Sequence, residues 1–377
     1  MVARLKVGIS LNSRLIFQKM SLRLVFAFFI EAALVVACTP EGEEPILSEN
    51  NYELAAPAHF PKLGLPEYNP QTLAGVELGR RLFYDPILSA DSSLSCASCH
   101  LQEHAFTDGQ AIAIGIDDKP GRRNSPSLAN SAYYYKGLFW DGRAATLEEQ
   151  ALIPVEDPNE LGNSWAMVEQ ALRRHPFYPT YFSEAFGIGD TAQITRELAA
   201  RAIAQFERSL ISADAKYDRV LRGEASFTPS EKRGRDIFFD ASETLPAGEC
   251  SHCHTPPLFT DHSYMNNGLD SASRLEDFSD TGRGATTGQR YDNGRFRVPS
   301  LRNLTLTAPY MHDGRFATME EVVEHYNRGG HYAENVDPKI RNLHLSVQDK
   351  EDLIAFLRTL TDSTFVNHPG FSNPFKP

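Results

Sequence analysis

The chain has 377 residues, room for about two domains of ordinary size, and 41% of them are hydrophobic, which excludes disorder over most of the length. Its formal net charge of −12 makes it a poor partner for nucleic acid. Of five cysteines, four fall in two Cys-x-x-Cys-His units and the fifth is Cys38, so none is left for a disulfide.

Residues 1–37 read as an export signal. Arg4, Lys6, Arg14, Lys19 and Arg23 are followed by an apolar run, Leu24 to Ala37, broken only by Glu31. The run ends Val35-Val36-Ala37-Cys38, the pattern of a bacterial lipoprotein signal with Cys38 as the lipidated first residue. A simple signal peptide and an uncleaved anchor are the alternatives, and Met20 is a second candidate start. Without residues 1–37 the chain loses five positive charges and one negative, and the net charge goes from −12 to −16. The expected location is the periplasm, with a lipid anchor to the membrane at Cys38. Residues 38–58 are Pro- and Glu-rich and aperiodic, and read as a linker.

From there the chain repeats one plan. Leu78-Gly-Arg-Arg-Leu-Phe-Tyr-Asp85 returns as Arg233-Gly-Arg-Asp-Ile-Phe-Phe-Asp240. Each is followed by a Cys-x-x-Cys-His unit, then by Phe106-Thr-Asp108 or Phe259-Thr-Asp261. Ser125-Pro-Ser-Leu-Ala-Asn130 returns as Val298-Pro-Ser-Leu-Arg-Asn303. Asp141-Gly-Arg-Ala-Ala-Thr-Leu-Glu-Glu149 returns as Asp313-Gly-Arg-Phe-Ala-Thr-Met-Glu-Glu321. Two similar domains are therefore expected, 59–224 and 225–377. Leu198, Ala202, Phe206 and Leu210 recur at helical spacing and predict one helix from Thr195 to Leu221. Thr146 with Glu149, and Thr318 with Glu321, read as capping boxes. Ser346 begins a last helix with Leu353, Phe356, Leu357 and Leu360 on one face. Long strand patterns are absent, so the fold class is mainly α, with two tandem cytochrome c-like domains.

Cys96, Cys99 and His100, and again Cys250, Cys253 and His254, suit covalent attachment of haem c. Two thiols add across the vinyl groups, and the adjacent histidine becomes the axial iron ligand. A zinc site would want four ligands, and a redox dithiol would not need a histidine after it twice. His252, inside the second motif, reads as a bystander. What faces each histidine decides between electron transfer and chemistry. Thirteen residues after Asp313 stands Tyr326, which can ligate iron; thirteen after Asp141 stands Pro154, which cannot. The first haem is expected to be open and the second capped.

Together with Gly121-Arg-Arg-Asn-Ser-Pro126, Phe139-Trp-Asp-Gly-Arg143 and Thr307-Ala-Pro-Tyr-Met-His-Asp-Gly314, these motifs resemble the bacterial di-haem cytochrome c peroxidases, over roughly Pro57 to Thr361. Within that family they look closest to the methylamine-utilisation (MauG-type) branch. The resemblance implies that Trp140 carries electrons between the haems and that Gln150 and Glu160 form the distal pair beside the peroxide-binding haem. It also implies calcium held by Asn124, Thr307 and Pro309. Alone, Trp140 would read as a core aromatic and Glu160 as a surface carboxylate. The reductively activated peroxidases have a histidine where Ile116 stands and a methionine where Tyr326 stands; both departures are similar to the MauG-type branch. Met311 is the rival ligand for the second haem, and His104 for the first.

The implied activity is reduction of hydrogen peroxide with electrons from a small donor protein, a cytochrome c or a cupredoxin. One alternative is peroxide-dependent oxidation of residues on a partner protein. Another is a lipid-anchored electron-transfer cytochrome without catalysis. The resemblance also allows a homodimer.

Overall fold

The structure is a computed structural model that describes residues 51–376, all in one compact unit. The export signal, Cys38 and most of the 38–58 linker lie outside the described residues. The longer helices, in chain order, are α1 (Leu73–Tyr84), α2 (Leu147–Glu156), α3 (Trp165–Arg174), α4 (Tyr178–Phe186), α5 (Arg196–Ser209), α6 (Lys216–Leu221), α7 (Pro229–Phe238), α8 (Met319–Arg328) and α9 (Val347–Arg358). The one sheet among the described residues is a pair of two-residue strands, β1 (Tyr264–Met265) and β2 (Phe296–Arg297). They run antiparallel with Tyr264 opposite Arg297. The fold is mainly helical, as the absence of strand periodicity predicts. No helix among the described residues is long and apolar enough to cross a membrane.

Two helix crossings organise the molecule, and each depends on a glycine. In α1, Thr72 caps the N-terminus by accepting from the Gly75 amide, and Leu78, Leu82 and Phe83 are fully buried. This face packs on α5, where Ala202, Ala204 and Phe206 are also fully buried. A Cβ on Gly79 would lie 1.9 Å from the Ala202 carbonyl oxygen. The α7–α9 crossing repeats the arrangement: a Cβ on Gly234 would lie 1.8 Å from the Asp352 carbonyl oxygen. Gly79 and Gly234 hold the same place in the sequence repeat. At each, only a residue without a side chain lets the backbones approach this closely.

The helix expected over Thr195–Leu221 is two helices, α5 and α6, separated by an irregular stretch from Leu210 to Ala215. Helical periodicity continues to Leu210, but the backbone groups beyond it find better partners elsewhere. The Ser212 amide donates to Asn130 Oδ1 at 3.0 Å, and the Ala213 and Asp214 amides both donate to Asp362 Oδ2 at 3.0 Å. Asn130 and Asn303, equivalent in the repeat, meet here: Asn130 Nδ2 donates to the Ser212 carbonyl and Asn303 Nδ2 to the Ser212 hydroxyl. Buried polar groups must be paired, and this junction pairs them at the cost of a helix break.

Two smaller corrections concern caps and ends. The Thr318/Glu321 box forms fully. At α2, Thr146 accepts from the Glu149 amide, but the Glu149 carboxylate accepts from the Ala145 amide rather than from Thr146. Helix α9 begins at the Ser346 cap, yet Leu360 is buried beyond its end, and a further turn, Ser363–Val366, follows.

Candidate functional site

Two cavities lie beneath the two Cys-x-x-Cys-His units. The first, about 460 Å³, is lined by Cys96, Cys99 and His100, with Gln150, Pro154 and Glu160 among the other residues of its wall. The second, about 240 Å³, is lined by Cys250, Cys253 and His254, with Met311 and Tyr326. Asn124, Ser125, Pro126, Ser127, Tyr134, Trp140 and Arg297 line both, and form the wall they share.

The two histidines are held alike. His100 Nδ1 donates to the Phe106 carbonyl at 2.7 Å, and His254 Nδ1 to the Phe259 carbonyl at 3.0 Å. A carbonyl only accepts, so Nδ1 carries the proton and Nε2 is left with its lone pair, the form that ligates a metal. Burial lowers both pKa values, which keeps the rings neutral. The second turn of each unit is pinned in the same way: Thr107 Oγ1 donates to the Ser125 carbonyl and Thr260 Oγ1 to the Val298 carbonyl, each at 2.6 Å. All four cysteines are free thiols. Free thiols and neutral imidazoles on the walls of largely apolar cavities fit two covalently held haems. A zinc reading fails because neither unit brings three ligand atoms together. Among the described residues only Asp240, Glu249 and His252 do so. His252 lies outside the second cavity, against Glu249 at 3.1 Å and Asp240 at 3.3 Å.

The first cavity contains the expected distal group. Gln150 and Pro154 lie on α2, one turn apart. A proline in a helix interior has no N–H for the carbonyl four residues back, here that of Gln150, and its ring strains the turn. Glu160 follows the helix on a tight loop, its amide donating to the Asp157 carbonyl at 3.0 Å. The Ile116 amide donates to the Glu160 carbonyl at 2.9 Å, and a Cβ on Gly115 would lie 1.9 Å from the Asn159 carbonyl oxygen. Gly115 is thus what lets the two loops close on each other. The Glu160 carboxyl is pushed up to about 6, first by burial and then by Asp157, with Arg143 opposing. Ile116, where a histidine would be needed for a ligand, is buried and carries no ligand atom. His104, the rival for the first haem, is exposed and lies outside the cavity.

In the second cavity Tyr326, on α8, is half-buried, and its hydroxyl accepts from Asn267 Nδ2 at 3.2 Å. The same Nδ2 lies 3.5 Å from Met311 Sδ, so tyrosine and methionine stand side by side. Burial pushes the Tyr326 phenol up to about 12, with the Asn267 hydrogen bond opposing. Asn267 was not singled out by the sequence. It precedes no motif and is recognisable only by its contacts.

Trp140 stands in the shared wall. Its Nε1 donates to the Asn124 carbonyl at 2.8 Å, and its ring meets the His312 ring edge-on, centroids 6.5 Å apart. Asn124, Thr307 and Pro309 all line the second cavity. Asn124 Nδ2 donates to the Gln110 carbonyl at 2.8 Å, which fixes the orientation of its amide. Glu207, on α5, was also missed. Its carboxyl is fully buried against the first cavity, Oε2 has no hydrogen-bond partner, and burial pushes it up to about 8.

Covalent haem on a Cys-x-x-Cys-His unit, twice, on a mainly helical frame, defines a di-haem c-type cytochrome. Comparison with known proteins narrows this. Residues 73–226 match the family model described as di-haem cytochrome c peroxidase. The chain is 36% identical over 301 residues to the methylamine utilization protein MauG of Methylorubrum extorquens, covering 78% of this chain and 80% of that one. It is 35% identical over 351 residues to the cytochrome-c peroxidase IdrP1 of Pseudomonas sp. (strain SCT), covering 85% and 90%. A crystal structure of a MauG-like protein associated with microbial copper homeostasis superposes with a TM-score of 0.79 at 37% identity, covering 86% of this chain and all of that one. The chain belongs to the di-haem cytochrome c peroxidase family.

Proposed function

We propose that the protein is a di-haem peroxidase that reduces hydrogen peroxide to water with electrons from a small redox protein such as a cytochrome c. The observation that carries this reading is the inequality of the cavities: Pro154 and Glu160 face the first, Tyr326 the second. Haem held by Cys96, Cys99 and His100 supplies a ferric centre able to bind peroxide; haem held by Cys250, Cys253 and His254 supplies a second redox equivalent. Glu160, pushed up to about 6, is mostly carboxylate at neutral pH yet takes up a proton far more readily than an ordinary glutamate. Its carboxylate takes a proton from one peroxide oxygen and delivers it to the other, which leaves as water. Gln150 orients the peroxide through its amide. Each turnover takes one peroxide, two electrons and two protons to two waters. Trp140, in the wall common to both cavities, lies where electrons pass between the sites.

In this reading Tyr326 would hold the iron of the second haem through its phenolic oxygen. Met311 remains its neighbour and rival, both being held by the same Asn267 amide. Asn124 Oδ1 with the Thr307 and Pro309 carbonyls supplies hard oxygen donors for calcium. Without a carboxylate, such a site binds weakly. The halves 59–224 and 225–377 act as the peroxide domain and the electron-transfer domain. Export and a lipid anchor at Cys38 complete the proposal, on the pattern of residues 1–38.

The resting ferric protein is expected to show one high-spin and one low-spin haem, and two low-spin haems would overturn the open first site. A second reading, peroxide-dependent oxidation of residues on a partner protein, is favoured by Tyr326, since a phenolate ligand stabilises highly oxidised iron. Steady-state turnover with peroxide and reduced cytochrome c separates the two: brisk turnover supports the peroxidase, negligible turnover the second reading.

A further inference from the structure

Three arginines are buried in the described residues: Arg208, Arg297 and Arg302. Two of them have a carboxylate. Arg302 makes a bidentate pair with Asp218, both contacts at 2.8 Å, and Arg208 pairs with Glu148. Arg297 has none. It is 3% exposed, its Nε donates to the Phe139 carbonyl at 3.0 Å, and its guanidinium lies 4.1 Å over the Tyr134 ring. Its Nη1 is buried with no hydrogen-bond partner. A buried cation left without a counter-ion costs several kcal/mol, so a fold that keeps one is completed by an anion from elsewhere.

The surroundings say where that anion enters. Arg297 lines both cavities. The titratable groups around it do not neutralise it: Tyr134 and Tyr264 are phenols, and His262 is buried with its Nδ1 unpartnered. Lys136 adds a second positive charge nearby. Arg297 and Lys136 reinforce burial in driving the His262 ring down to about 4, so it is neutral. The nearest acid in sequence, Asp292, is taken up by Thr287 and Arg295, and Asp261, beside His262, by the Ser263 amide and hydroxyl. Arg297 thus lines both cavities with its Nη1 left for a partner from outside the chain. In the repeat, Arg297 stands where the first half has Asn124, the residue before Ser125-Pro126, so the cation is confined to one side of a shared wall.

We propose that Arg297 is the counter-cation of haem carboxylates at the wall between the two cavities. A haem carries two ionised carboxylate side chains, and a guanidinium binds carboxylate by paired hydrogen bonds. The contact holds the cofactor edge against the wall that contains Trp140, whose carbonyl accepts from the Arg297 amide at 2.8 Å. Arg297 is a positioning residue for the electron path, and its charge favours the reduced state of the haem it faces. This rests on the reading that both cavities hold haem.

The test is redox titration of the native protein, Arg297→Gln and Arg297→Lys, each checked by intact mass and haem absorbance. Arg297→Gln is expected to lower the reduction equilibrium constant of at least one haem about tenfold, or about 59 mV for one electron. Arg297→Lys is expected to recover most of that. Unchanged potentials in Arg297→Gln with both haems present, or equal shifts in the two variants, would overturn the proposal. Native protein without covalent haem would instead overturn the underlying reading. Should Arg297→Gln fail to fold, resonance Raman spectroscopy of Arg297→Lys reads the same contact. The haem carboxylate bending bands shift if the guanidinium is their partner, and unmoved bands sink the idea.

Discussion

The two cavities are built from one local plan and differ at a few wall positions. Each presents two cysteines and a histidine whose Nδ1 is tied to the carbonyl of a phenylalanine five or six residues on. Each is approached by a capped helix with a decisive residue thirteen positions after an aspartate, Pro154 on α2 and Tyr326 on α8. A proline brings no ligand atom; a tyrosine brings an oxygen donor. Glu160 and Gln150 then line the first cavity, while Asn267 contacts both Tyr326 and Met311 in the second. On the proposed reading, one repeated sequence plan would serve two jobs because the residues facing the two attachment units differ while the attachment residues stay the same.

The largest effect is expected from erasing the difference. Pro154→Tyr should place a phenol in the first cavity, turn the resting spectrum to two low-spin haems and abolish peroxide turnover. A surviving high-spin signal with full turnover would show that this position does not govern access. Next comes Glu160→Gln, expected to lower kcat/KM for peroxide by roughly 10²–10⁴-fold with the resting spectrum unchanged. In the native protein kcat/KM should rise with pH through about 6, because the shuttle starts as carboxylate. A flat profile would remove Glu160 from the proton path.

Tyr326→Phe sharpens the second cavity. If Tyr326 ligates, the second haem loses its low-spin signature or takes up Met311, with a new thioether-to-iron absorbance band. An unchanged spectrum would make Met311 the native ligand. A smaller effect concerns stability. The Glu207 carboxyl is raised in the folded state, so the fold favours its neutral form. Its contribution is complete below about 4.5 and declines as pH rises through about 8. Glu207→Gln should therefore flatten the stability curve between these limits, by roughly 3 kcal/mol at neutral pH, in urea unfolding of the holoprotein. A variant whose pH dependence matched the native protein would locate the titrating group elsewhere.

The attachment residues, the mainly helical class and the repeat were legible because they are local: a covalent motif needs its thiols and histidine adjacent, and a helix shows its period along the chain. The same locality misled over Thr195–Leu221. The periodicity reaches Leu210, but the break that follows is set by Asn130, Asn303 and Asp362, each 82 or more residues away from Ser212. The inequality of the haem sites was legible only because the repeat supplied an internal reference for Pro154 and Tyr326. Asn124 and Arg297 occupy equivalent places in that repeat too, but their difference had no meaning until both were seen in one wall.

By itself, then, the sequence determined where two haems attach, that helices carry them, and which two positions make them unequal. The tertiary structure decided what those positions act with. It placed Glu160 over the first cavity through Gly115 and set Asn267 between Tyr326 and Met311. It also buried Arg297 without an anion and Glu207 without a partner. Burial and pairing are properties of what surrounds a side chain, and those surroundings come from segments far apart in the chain.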